Sequence, residues 1–345
     1  MVVLAFDDYS LVPKAKAITQ AARRARLVPL EFDEGDPLPE FPPDPWTAAM
    51  INRTFKARVI QLVVEALPTI LRAPGAGSAL IVDWKGGTCS KWEWMEDGTI
   101  QCSEMPREPA GEADIKFSRW ATRLGVSMGA EATDGDFVPI ALMSSVGHLF
   151  VLRNEVNGEK PQDNSSGGGG SIGGRQHEWV DIDLLRKGLI DCMAIKSQSI
   201  EPLIVLIAMT GTDFSRGLPW VGPKRLIKVL GIFSIARRSL TEDHQIDPLT
   251  CLDQLVSPVY HSLYRNHVSK GSFADVMGAL TTTPSLSKRV KDKLPLESQV
   301  LTTLRNANFI LQYWAAKDPM APDSLAPGLY GFRLGADSNR VEWDD

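Results

Sequence analysis

Apolar positions along this chain change period repeatedly, from alternation or short unbroken runs to a helical spacing of three and four, so strands and helices are expected to interleave. Val2 to Phe6 is an apolar run closed by Asp7 and Asp8, the pattern of a short buried strand that delivers carboxylates at its C-terminal end. Pro13 opens Lys14 to Arg26, an alanine-rich stretch with bases throughout, which predicts a helix with proline near its first turn. Trp46 to Leu71 is helical by length and spacing, and Pro74-Gly75-Ala76-Gly77 ends it. Ser78 to Trp84 predicts a second strand, and Lys91 to Gln101 a β-hairpin turning at Asp97-Gly98. Gly111 to Leu124 predicts a helix with Glu112 and Asp114 in its first turn, where carboxylates suit the positive end of the helix dipole. Phe137 to Leu152 is expected to hold one or two strands. Asp181 to Met193 and Glu201 to Met209 are expected to be helices, as are Leu252 to His267, Phe273 to Leu280 and Leu296 to Ala316. The class is α/β with a helical C-terminal part.

Two stretches break the periodicity. Pro29 to Pro45 is a proline- and acid-rich loop, and Asn157 to Gly174, with Ser165-Ser166 and four glycines before Ser171, has the composition of a flexible insertion. The organisation read from these breaks is a first core segment over 1–156, the insertion over 157–176, completion of the core over 177–240 and a helical region over 241–345. No internal repeat is visible.

With 345 residues, 43% apolar and 23% charged, the chain can bury a sizeable core as one large domain or two packed ones. Its longest apolar stretch, Ile200 to Met209, is too short to span a bilayer, and the start of the chain lacks the basic lead of a signal peptide. An intracellular protein without a membrane partner is expected. Cys89, Cys102, Cys192 and Cys251 form no CxxC pair, so reduced thiols are expected. None of the five histidines has metal-ligand spacing. The absence of GxSxG and P-loop patterns argues against serine-hydrolase and nucleotide-triphosphatase chemistry. A net charge of −5 excludes a uniformly basic nucleic-acid binder, yet Arg216, Lys224, Arg225, Lys228, Arg237 and Arg238 follow one another with no acid between Phe214 and Thr241. Such a run is more often a solvated helix face.

The candidate chemistry lies in acids that close apolar segments: Asp7, the pair Glu112 and Asp114, the pair Asp134 and Asp136, and Asp213. Acids two apart on a tight loop or a first helical turn can aim their oxygens at one pocket, as hard divalent cations require. Taken singly, each is more often a helix cap or a surface charge. Gly211-Thr212-Asp213-Phe214 runs directly into Arg216-Gly217-Leu218-Pro219-Trp220-Val221-Gly222-Pro223-Lys224-Arg225, a glycine-punctuated turn opening a basic helix. Glycine at such points lets a phosphate approach the backbone closely. Trp84, Trp92 and Trp94 are expected to pack within the hairpin.

Read together, these segments resemble the flap endonuclease family of structure-specific 5′ nucleases. Phe6-Asp7-Asp8 is similar to the family's Phe-Asp-Gly strand end, Gly111-Glu112-Ala113-Asp114 to its Gly-Glu-Ala-Glu/Asp helix start, and Thr133-Asp134-Gly135-Asp136 to its Thr-x-Asp-x-Asp turn. Gly211-Thr212-Asp213-Phe214 is similar to its Gly-Ser-Asp-Tyr, and Leu218 to Lys224 to the Ile-Pro-Gly-Ile-Gly-Pro-Lys of its helix-hairpin-helix. The five motifs stand in family order from Asp7 to about Leu230.

The resemblance implies a PIN-like core with a mostly parallel central sheet flanked by helices. It also implies Mg²⁺- or Mn²⁺-dependent hydrolysis of DNA phosphodiesters, with RNA as the alternative, at 5′ ends or branches. Two ions would be held by Asp7, Glu112, Asp114, Asp134, Asp136 and Asp213, while Lys16 and Arg23, seven residues apart, would orient the scissile phosphate. Arg24, Gly217, Gly222, Lys224 and Arg225 would contact nucleic acid, with K⁺ at the hairpin. A nuclear or other DNA-containing compartment follows, and no protein partner is indicated.

The family also carries an aspartate on a strand well ahead of Phe-Asp-Gly, which nothing before Phe6 matches. The expectations divide between a missing segment, substitution by Asp8 or Asp83, and a homologue that binds without turnover.

Overall fold

The computed structural model describes residues 1–8, 16, 31–40, 46–70, 75–84, 88–108, 110–131, 136–143, 149–154, 177–192, 200–230, 245–315, 330–334 and 341–343. The chain divides into two compact units, Met1–Phe117 with Asp318–Asp344, and Ser118–Lys317 with Asp345. The class is α/β with mixed sheets. Of the expected helix Lys14 to Arg26 only Lys16 is described, and the insertion 157–174 lies outside the described residues.

In the first unit, strand β1 (Val2–Ala5) lies parallel to β2 (Ala79–Asp83), pairing Val2 with Leu80 and Ala5 with Asp83. Between them come α1 (Trp46–Ala49) and α2 (Arg53–Ile70). The single helix expected over Trp46 to Leu71 breaks because the Asn52 side chain accepts from the Phe55 N–H at 3.0 Å and starts a new helix. Phe55 is buried there, edge-on to Phe32 and Trp46.

β3 (Thr88–Trp94) and β4 (Ile100–Pro106) form the predicted hairpin. Gly98 takes a left-handed φ of 80°, and Asp97 accepts from both the N–H and the hydroxyl of Thr99. Because β3 also pairs antiparallel with β2, the sheet order is β1-β2-β3-β4 and only β1 and β2 run parallel. The hairpin is thus what makes the sheet mixed, where a mostly parallel one was expected. Leu80, Val82 and Trp94 form the core of one face, packed by Leu4, Phe6, Val64, Leu67, Trp84 and Trp92, so the three tryptophans serve packing. Helix α3 (Ala113–Leu124) follows the sheet and continues past the division between the units.

The second unit opens with β5 (Met128–Glu131) and α4 (Phe137–Met143), followed by β6 (Leu149–Asn154), which is parallel to β5, and β7 (His177–Asp181), which is antiparallel to β6. Phe137 to Leu152 was expected to hold one or two strands; β6 begins within it at Leu149, but Phe137 to Met143 is not a strand. It is a helix because Pro139 sits in a first turn that needs no N–H from it and Asp136 O accepts from Ile140 N; five of its seven residues are buried, so its apolar run carried no period to read.

α5 (Ile182–Cys192) and α6 (Glu201–Thr210) follow, the latter buried almost all round from Pro202 to Met209. An irregular turn then leads to α7 (Pro223–Leu230). α8 (Pro248–Cys251), capped by Asp247, passes through one π-helical turn (Leu252–Val256) into α9 (Ser257–Leu263). Pro258 has no N–H with which to close an α-helical bond, which accounts for the widened turn. α10 (Phe273–Thr282) starts with a Ser272/Asp275 capping box; α11 (Lys288–Lys291) is a single turn; α12 (Glu297–Ala315) packs on α6. Phe214 stands 5.4 Å from both Phe309 and Tyr313 of α12, which anchors the turn after α6 in the core. β8 (Phe332–Leu334) and β9 (Val341–Trp343) close the described chain as an antiparallel pair in the first unit.

Candidate active site

Four of the expected site residues, Asp7, Lys16, Glu112 and Asp114, gather in the first unit around the start of α3. The turn before the helix is tied to β1 by the bond from Asp8 N to Gly111 O, so the carboxylates after β1 meet the helix N-terminus. Asp7 Oδ1 accepts from Ala113 N at 3.0 Å and caps α3, worth about 0.5–2 kcal/mol for an aspartate in this role. Glu112, one residue earlier, is buried, and Lys16 Nζ lies 3.2 Å from its Oε1. Lys16 is thus the cation that faces this carboxylate. Burial, and then the charges of Asp7 and Asp114 against the opposing Lys16, push the Glu112 carboxyl up to about 7. Asp114 itself is half-buried in the first turn of α3.

The two acids considered as substitutes for a missing aspartate are engaged elsewhere. Asp8 is paired with Arg107 at 2.5 Å. Asp83, fully buried, faces Lys116 Nζ at 3.0 Å and accepts from Glu108 N at 2.9 Å. Lys116 is also fully buried and donates to Phe6 O and Trp84 O, both at 2.9 Å. Neither Arg107 nor Lys116 was singled out from the sequence. The only hint was that Lys116 lies one helical turn after Glu112, among apolar neighbours.

In the second unit Asp136 and Asp213 are brought together. Asp136 stands at the start of α4, and Asp213 N approaches its Oδ2 at 3.5 Å, with Asp213 buried. Asp134, Arg23 and Arg24 lie outside the described residues. Among the described residues no group of three or more His, Cys, Asp or Glu is arranged to hold a metal ion. The oxygen donors Asp7 and Glu112 are nevertheless of the kind that suits Mg²⁺ or Mn²⁺, and the buried Glu112 carboxylate already faces one positive charge, that of Lys16.

The turn after α6 is built on close backbone approach. Leu218 N donates to Met209 O at 2.7 Å, Thr212 and Ser215 exchange backbone bonds, and Ser215 Oγ donates to Ala208 O. Gly217 has φ +70°, and a Cβ on it would lie 2.7 Å from Gly211 N, so its glycine is structural. Gly222 has nothing within 4 Å of a built Cβ, so the fold itself does not require it.

Trp220 stands where the resembled motif has glycine and takes φ 66°, a left-handed conformation that costs a non-glycine residue about 1–2 kcal/mol. Arg225 Nη1 donates to Trp220 O at 3.3 Å, with the guanidinium 5.6 Å from the indole centroid. Tyr260 Oη donates to Pro219 O at 2.8 Å, and burial holds that phenol well above its usual range. Tyr264, raised by burial, is hydrogen-bonded to Arg225, which partly offsets the rise. Leu218, Trp220, Val221 and Gly222 to Arg225 line an open recess of about 440 Å³. The tyrosines are a support the sequence did not mark, because they come from α9 and the turn after it, some forty residues away.

Comparison with known protein families and with curated proteins finds no family model and no curated protein that matches the chain. No described helix is long and apolar enough to cross a membrane.

Proposed function

We propose that the protein is a metal-dependent phosphodiesterase acting on nucleic acid, of the flap-endonuclease kind that its motifs resemble. The observation that carries the reading is the buried Glu112 carboxyl set beside Asp7, with Lys16 as its counter-charge. Burial first, and then the charges of Asp7 and Asp114, raise this carboxyl to about 7 against the pull of Lys16, and ionising such a group is costly unless a cation neutralises it. Asp7 and Glu112 would be ligands within the first unit, and within the second unit the neighbouring Asp136 and Asp213 are the candidate ligands. Bound divalent ions would supply a hydroxide at neutral pH and neutralise charge on the reacting phosphate.

The chain's own groups have definable tasks. Asp7, fixed by its bond to Ala113 N, presents an oxygen in a set direction. Lys16, 3.2 Å from Glu112, is released by any cation that takes its place and is then available to a phosphate oxygen. In the second unit Lys224 and Arg225 offer positive charge to a phosphate backbone, and Gly222 leaves room for it to approach.

The test is cleavage of an end-labelled 5′-flap DNA with and without Mg²⁺, by the wild type and by Glu112→Gln and Asp213→Asn. Mg²⁺-dependent product in the wild type that falls at least about a hundredfold in both variants is expected. No metal-dependent product from the wild type sinks hydrolysis.

A second reading, nucleic-acid binding without turnover, is favoured by one observation. Asp8 and Asp83, the acids that could complete a ligand set, are already committed to Arg107 and Lys116. Flap binding without product would support it.

A further inference from the structure

We propose that Trp220 and Arg225 form a stacking platform for an unpaired nucleobase, so that the turn between α6 and α7 recognises a single-stranded tail as well as a phosphate backbone. The proposal rests on the nucleic-acid reading above and adds a substrate feature to it.

Three observations converge. Trp220 holds a large aromatic side chain on a left-handed backbone, a conformation found chiefly where structure around it enforces it for a purpose. Its indole N–H is buried without a hydrogen-bond partner among the described residues, so the ring gains no polar anchor in return. The guanidinium of Arg225 lies 5.6 Å from the ring centroid and is tethered by its bond to Trp220 O at 3.3 Å. An indole and a guanidinium so arranged are the two side-chain planes on which nucleobases stack.

The surroundings select this occupant. The recess is open and of about 440 Å³, and Trp220 and Arg225 both line it, so both planes are reachable. Lys224 and Arg225 are exposed at its edge, which complements the phosphate attached to any stacked base. From below, Tyr260 holds Pro219 and Tyr264 holds Arg225, and these bonds fix the platform before a base arrives. An apolar peptide would leave both cations unanswered. A duplex would offer phosphates but no free base face.

The deciding experiment compares the affinity of the full chain for three labelled DNAs at one salt concentration. These are a blunt duplex, the same duplex with a 5′ thymidine tail, and the same duplex with an abasic tail of equal length, which keeps the phosphates and removes the bases. The platform predicts that wild type prefers the thymidine tail to the abasic tail by about tenfold. Trp220→Gly, which accepts the backbone conformation without strain, should lose that preference while keeping its affinity for the blunt duplex. Trp220→Phe should retain most of it. Lys224→Ala should weaken all three DNAs alike.

Equal binding of the two tails by wild type, or an unchanged preference in Trp220→Gly, overturns the platform while leaving the nuclease reading intact. Failure of wild type to bind any of the three DNAs overturns both.

Discussion

Lys116 and Asp83 stand 3.0 Å apart with both side chains fully buried, and the lysine also bonds the carbonyls of Phe6 and Trp84. The pair therefore joins the C-terminal ends of β1 and β2 to helix α3, and holds in place the segment that carries Asp7 and Glu112. An ion pair in such a setting adds little net stability over apolar residues, but breaking it strands a charge in the interior. Its weight in this protein is positional: it fixes the frame of the carboxylate cluster.

Lys116→Met should accordingly destabilise the protein by about 3–5 kcal/mol. Asp83→Asn should cost less, because an amide oxygen can still accept from Glu108 N. Urea unfolding followed by circular dichroism measures both. A loss under about 1 kcal/mol for Lys116→Met would mean that the pair bears no such load.

Glu112 sets a pH dependence whose sign can be worked out. Its carboxyl is raised from 4.5 to about 7 in the fold. Between those values the folded state holds a proton that the unfolded state has lost, so this group's contribution to stability falls as pH rises from about 4.5 to 7. Above that window the full cost of a buried carboxylate is present, on the order of 1–3 kcal/mol. Glu112→Gln should therefore be more stable than wild type at pH 8 and close to it at pH 4.5. A divalent cation binding there favours the ionised form, so Mn²⁺ should raise the melting temperature more at pH 8 than at pH 6. Thermal unfolding of both proteins at the three pH values checks this. Equal Mn²⁺ shifts at pH 6 and 8 would separate Glu112 from metal binding.

Asp7 allows capping and ligation to be told apart. Asp7→Asn keeps an oxygen for the Ala113 N–H, whereas Asp7→Ala removes it and should cost about 1 kcal/mol. If Asp7 also holds a cation, both variants lose Mg²⁺-dependent cleavage although only alanine lowers stability. Matched melting and flap-cleavage assays distinguish the roles. An asparagine variant with wild-type cleavage would leave Asp7 a cap alone.

Much of this was legible in the sequence where one local rule decides. Asp97-Gly98 specified the hairpin turn, Asp114 the helix start, and the apolar run within Glu201 to Met209 a helix. Where the deciding partner is distant, the sequence was silent. Phe137 to Leu142 has no period because it is buried on every side. The two helices of 46–70 are divided by a side-chain cap from Asn52 that propensity does not register.

In the candidate site, the sequence put Asp7, Glu112, Asp114, Asp134, Asp136 and Asp213 in one set because each closes an apolar segment, while the proximity of Asp7 to Glu112 and of Asp213 to Asp136 is set by tertiary contacts. The engagement of Asp8 and Asp83 was not legible either, because Arg107 and Lys116 reach them only through tertiary packing. The left-handed backbone of Trp220 could be suspected only from its replacing a glycine.

Gly217 and Gly222, which the sequence presented as equivalent, should behave differently. Gly217 has φ +70°, and a methyl group there would meet Gly211 N at 2.7 Å and Thr210 C at 2.8 Å, both backbone atoms that cannot turn aside. Gly217→Ala should thus open the turn after α6 and cost roughly 2–4 kcal/mol, the strain of a left-handed alanine added to an overpacked contact. Gly222 has no such neighbour, so Gly222→Ala should leave unfolding unchanged within about 0.5 kcal/mol. If a phosphate approaches the backbone at Gly222, the same methyl group should weaken duplex binding severalfold in a protein of normal stability. Chemical denaturation and duplex affinity of the two variants are enough to decide it. Normal duplex binding by Gly222→Ala would remove that glycine from the nucleic-acid interface.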